Sequence, residues 1–146
     1  MILTKHFTLE EFCYSINAIR LRIANVLPDT LRPAALALHE KIVEPLRVAV
    51  GVWITEDSGY RCLELNRAIG SNDDSQHVKA EAVDIRVKGM TPQQVCDKIV
   101  ALGLPFDQLI EEFGEWTHVS YGPRNRRQKL KARYNAQGKK VYEVMV

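Results

Sequence analysis

Two of the chain's four histidines, His77 and His118, lie in polar, strand-adjacent contexts beside carboxylates, and they carry the chemistry to be weighed. Asp84 follows His77 by seven residues, so the chain between them can fold back and bring both side chains to one point. Alternation along the segment 116–120 puts Trp116, His118 and Ser120 on one face, from which His118 can reach the same point. Two neutral imidazoles and one carboxylate form a three-residue zinc set with the fourth tetrahedral position left open, the layout of a catalytic metal. Zinc itself is inferred from ligand type. Glu115, three residues before His118, is the nearest candidate for a general base acting on water that the metal activates. Arg61, in the turn after Ser58-Gly59-Tyr60, is the best-placed fixed cation, able to stabilise an oxyanion or to clamp a substrate carboxylate. Taken singly, each of these residues has a commoner explanation: a surface histidine, a core histidine, a capping or ion-paired aspartate, a solvated charge.

These side chains need elements to hold them. Thr8 with Glu11 makes a capping box opening a short first helix. The spacing of Leu31, Ala35, Leu38, Ile42, Leu46 and Ala49 predicts a long core helix over 31–50, with a kink or early end near Glu44 because Pro45 lacks a backbone N–H. Residues 52–55 are a short β-prone run and residues 63–69 a helix; Gly70 to Ser75 is a polar loop. Residues 82–87 alternate as a strand, and Thr91-Pro92 caps a helix ending near Gly103. Residues 106–113 and 116–121 are two strands joined through Gly114 as a hairpin. This order predicts an α+β fold around a small, mainly antiparallel sheet flanked by helices.

With 146 residues and 46% hydrophobic composition, the chain suits one domain over 1–146 with a single core. The net charge of +2 names no partner, and no stretch approaches the ~18 consecutive apolar residues of a membrane span. The N-terminus lacks a secretory layout, so synthesis in the cytoplasm without a signal peptide is expected, as is a monomer. Cys13, Cys62 and Cys96 have no paired spacing and read as reduced apolar residues. From Arg124 to Lys140 eight cations occur with no Asp or Glu. This run reads first as a solvated basic face and second as a surface for anionic polymers; with Tyr134 its sole aromatic, nucleic-acid binding ranks last.

The run from Ser75 to Asp84, followed by Glu115-Trp116-Thr117-His118, resembles the S-x-H-x-x-G-x-A-x-D and E-x-x-H signatures of the zinc D-Ala-D-Ala carboxypeptidases, peptidases of bacterial peptidoglycan. Residues 4–12, 44–47, 58–61 and 106–110 resemble the small, signal-less branch of that family common in phages and prophages. The resemblance implies a fold shared with the zinc-binding hedgehog signalling domain. It also implies zinc on His77, Asp84 and His118, Glu115 as acid/base, and substrate contacts from Arg61 and Ser75. It further implies a peptidoglycan peptide substrate, reached after release from the cell or as part of a virion. The alternatives are an L-Ala-D-Glu or cross-bridge endopeptidase, and a zinc-stabilised module without turnover. One position departs from the pattern: the family's Gly between the histidine and the aspartate is Ala80, costly if that backbone turns left-handed.

Overall fold

The computed structural model describes residues 1–145. Two short strands, β1 (Ile2–Thr4) and β2 (Phe7–Thr8), pair with each other and lead into α1 (Leu9–Cys13) and α2 (Ile16–Leu21). The Thr8 hydroxyl accepts the Glu11 N–H while the Glu11 carboxylate accepts the Thr8 N–H, which completes the capping box. The predicted long helix is present as α3 (Arg32–Leu38), a widened π turn (His39–Val43) and α4 (Glu44–Val50). The irregularity sits one turn ahead of Pro45, where the missing N–H and the ring would otherwise collide with the regular hydrogen-bond ladder. His39 in that turn is fully buried, with Nδ1 donating to Ala35 O (2.7 Å) and Nε2 against Glu56 Oε1. It is a structural histidine, as is His6, whose Nδ1 meets Glu44 Oε2 near the surface.

The rest of the chain builds a six-stranded sheet. In chain order it comprises β3 (Ile54–Ser58), α5 (Leu63–Ala68), β4 (Ala82–Val87), α6 (Pro92–Ala101), β5 (Gln108–Glu112), β6 (Trp116–Ser120), β7 (Gln128–Tyr134) and β8 (Lys140–Val144). The strand order is β3-β4-β6-β5-β7-β8. Every pairing is antiparallel except β5 with β7, so the expected α+β class holds while the sheet is mixed. Val83, Ile85 and Val87 from β4, Leu109 from β5 and Val119 from β6 face a core shared with Phe12, Leu38, Ile42, Leu46, Val95 and Ile99. Alternation then forces Asp84, His118, Ile110 and Glu112 onto the opposite face, since Asp84 pairs with His118, and His118 with Ile110. One face of the sheet is the core and the other carries the site.

One expectation changes. The run 52–55 enters the sheet two residues late, and its strand continues through Ser58. The basic tail forms β7 and β8, where its cations stay largely exposed as a solvated basic face, and several of them are paired. Arg126 meets Asp107 (2.9 Å), Lys131 meets Glu111 (4.0 Å), and Arg133 meets Glu143. Acids distant in sequence supply the charge that the tail lacks. Among the described residues, no helix is long and apolar enough to cross a membrane.

Candidate active site

His77, Asp84 and His118 each offer one ligand atom, and those atoms lie within 4.8 Å of one another. His77 Nε2 is 3.5 Å from Asp84 Oδ1, and His118 Nδ1 is 3.0 Å from the same oxygen. The imidazoles meet edge to face at 5.2 Å. Asp84 and His118 are opposite one another on β4 and β6, so the register of a single strand pair sets their separation. His77 arrives from the loop before β4. Its Nδ1 donates to Gly59 O at 2.7 Å, which fixes the tautomer and leaves the Nε2 lone pair aimed at the cluster. Gly59 is obligatory there, because a Cβ would fall 2.2 Å from Phe12 O. Burial favours the neutral, ligating form of His77. Burial raises the Asp84 pKa, but His77 and His118 outweigh it and hold the carboxylate well below its ordinary range. Two imidazole nitrogens and one ionised carboxylate oxygen, converging on one point, are a donor set suited to a divalent metal.

The loop carrying His77 closes through hydrogen bonds from Glu81 N to Gln76 O (2.9 Å) and from Ala80 N to His77 O (3.4 Å). Ala80 there has φ +58° and is fully buried. The left-handed turn that glycine ordinarily makes is kept by alanine, at a strain of about 1–2 kcal/mol that the packed Cβ partly offsets. Behind the loop, Asp107 accepts from Arg126 N (2.7 Å), Arg126 Nε (3.0 Å) and Gln76 Nε2 (2.9 Å). Burial alone would raise its pKa, but Arg126 and Gln76 bring it down to about 2. This buried network ties the metal loop to the entrance of β7.

The cluster opens into a cleft of about 780 Å³. Arg61 lines it, its Nε donating to Asn66 Oδ1 (3.1 Å) and its terminal nitrogen to Ser58 Oγ (3.1 Å). Both partners are neutral, so the guanidinium is held in place and its charge stays available. Asn66 is fully buried and donates in turn to Asn72 O (2.7 Å). Ser75 also lines the cleft, while its Oγ accepts the His77 N–H (3.3 Å) and so helps shape the loop.

A sequence model of the Peptidase M15 family matches residues 5–120. The chain belongs to the Peptidase M15 family. The family is one of metallopeptidases, which makes this protein a hydrolase of peptide bonds, and the buried His-Asp-His cluster is a group that could bind a metal ion. No curated relative matches the sequence.

Within this M15 peptidase the carboxylate facing the cleft differs from the one expected. Glu115 sits exposed in the β5–β6 turn, its N–H bonded to Glu112 O (2.9 Å), and does not line the cleft. Phe113 (φ +59°) and Gly114 (φ +68°) make the tight left-handed turn that swings Glu115 away. Glu112, opposite Trp116 and on the same face as His118, takes the place on the cleft wall and is buried. Desolvation and the nearby Asp84 charge raise its pKa. Strand alternation counted back from His118 through the turn would have singled it out. Asn66, Gln76 and Asp107, which brace Arg61 and the metal loop, carry no signal of their own in the sequence.

Proposed function

We propose that the protein is a zinc peptidase of bacterial peptidoglycan in which Glu112, and not Glu115, carries the proton. The observation behind this is the shared sheet face: Asp84, His118 and Glu112 lie in neighbouring registers of β4, β6 and β5, and His77 and Arg61 border the same cleft. His77, Asp84 and His118 would hold the zinc, which when bound supplies a Lewis acid that lowers the pKa of water to about 7 and polarises the scissile carbonyl. Glu112 accepts a proton from the attacking water and returns it to the departing amine nitrogen. Arg61, braced by Asn66 and Ser58, binds a carboxylate of the substrate. A fixed cation beside the reaction centre, with no carboxylate within 4.0 Å of it among the described residues, suits a peptide with a nearby C-terminal carboxylate, hence removal of a terminal D-Ala. Action on the wall after release from the host, or from within a virion, follows from the sequence resemblance.

The test is zinc content and hydrolysis of purified muropeptides by wild type, Glu112→Gln and Glu115→Gln, with product masses. One zinc per chain in all three, with loss of cutting in Glu112→Gln alone, supports the reading. Release of a mass equal to one alanine identifies a carboxypeptidase, and cleavage between L-Ala and D-Glu an endopeptidase. Zinc binding without turnover on any wall preparation would replace the peptidase with a binding module.

A further inference from the structure

The family match ends at residue 120, yet the cleft does not: Gln128, Leu130, Lys140 and Tyr142 from β7 and β8 form one of its walls. Lys140 is the part of that wall nearest the chemistry. Its Nζ lies 3.7 Å from Glu112 Oε2, and no other cation among the described residues comes within 4.0 Å of that carboxylate. The ammonium is itself held. It sits 5.4 Å from the centre of the Phe113 ring and 5.1 Å from that of Tyr142, over both faces. Phe113, locked in its left-handed turn, stacks on Tyr134 of β7 (4.6 Å, 14°), meets Trp116 edge-on (5.9 Å) and donates its N–H to Ala132 O (3.1 Å). The hairpin thus grips the tip of the β5–β6 turn one residue beyond Glu112. Rotation about the last bond of a glutamate side chain is broad, so a buried carboxylate without a hydrogen-bond donor needs such a partner to choose an orientation.

We propose that the β7–β8 hairpin completes the active site and that Lys140 is a positioning residue, holding the Glu112 carboxylate in the cleft beside the His77–Asp84–His118 cluster. This rests on the reading of Glu112 as the proton carrier. A positioned carboxylate transfers protons at the rate its geometry allows. A free one spends most of its time misdirected, so kcat should suffer while substrate binding does not.

Steady-state kinetics on solubilised muropeptides test this, with zinc content and Tm measured on each purified variant. Lys140→Met is expected to lower kcat about 10-fold at unchanged KM and zinc content, by analogy with other groups that orient a reacting side chain. Lys140→Arg should restore kcat to within about 3-fold, and Tyr142→Leu, which removes one ring from the cage, should cost about 3-fold. In a Glu112→Gln background, Lys140→Met should add no further loss, because its effect runs through a carboxylate already gone. Wild-type kcat in Lys140→Met, with Glu112→Gln inactive, overturns the positioning role and leaves the Glu112 reading intact. Additive losses in the double variant likewise overturn it. Full activity in Glu112→Gln overturns both.

Discussion

The two halves of the site are built on opposite plans. On the β4–β6 side, the residues that could hold a metal are buried and fixed by one register: Asp84 and His118 face each other across a strand pair, and Gly59 O orients His77. On the β7–β8 side, the wall is half-exposed, charged and assembled from residues distant in sequence, with Lys140 reaching Glu112 and Arg126 reaching Asp107. A metal centre tolerates little displacement, so its residues belong in the sheet interior where packing admits one arrangement. A substrate wall has looser demands and can be made of long side chains held by rings and ion pairs. The difference teaches where substitutions should abolish function and where they should only modulate it.

The sharpest break in that comparison comes from the ligand side. His77→Ala or Asp84→Ala should remove bound zinc, read by metal analysis, and reduce peptide hydrolysis by at least about 10³-fold. Next comes the contrast between two carboxylates three residues apart: Glu112→Gln should cost about 10²–10⁴-fold in kcat, and Glu115→Gln, in the exposed turn, less than about 2-fold. Equal losses at the two positions would mean that the turn rearranges when substrate binds. On the hairpin side, Asp107→Asn should leave zinc binding measurable while destabilising the fold by about 2–3 kcal/mol in denaturant unfolding, since Arg126 loses its charged acceptor. The same pair sets a pH window. The folded Asp107 has its pKa lowered to about 2, so its stabilisation is present above the unfolded value near 4 and is lost as pH falls through about 2. Asp107→Asn should flatten that part of the stability profile. The smallest change is at Ala80. Relief of left-handed strain in Ala80→Gly is about 1–2 kcal/mol, and it is opposed by the lost buried methyl and the freer unfolded chain, so the net shift in Tm should correspond to less than about 0.5 kcal/mol. Wild-type activity in that variant would show that alanine in the turn is neutral.

How much of this was legible beforehand follows from the range of each interaction. The capping box at Thr8 and Glu11, the disturbance ahead of Pro45 and the Thr91 cap are encoded within four residues, and the structure has all three. His77, Asp84 and His118 stand out because metal-competent residue types recur on segments whose alternation brings them to one face. Spacing along the chain singles out Glu115, whereas the turn at Phe113 and Gly114 leaves it exposed and sets Glu112 on the cleft wall. The basic tail is a solvated face, as its composition implies, but its ion-pair partners Asp107, Glu111, Glu112 and Glu143 lie outside the run and cannot be read from it.

The class of fold, the family and a set of three residues that could hold a metal are carried by the sequence, because short-range patterns and residue chemistry suffice for these. That β7 joins β5 in parallel and that Lys140 of β8 reaches Glu112 are visible in the tertiary structure alone. Those depend on strand register and on contacts across 20 to 50 residues of chain, such as Glu112 with Lys140 and Gln76 with Arg126, and no local pattern carries that information.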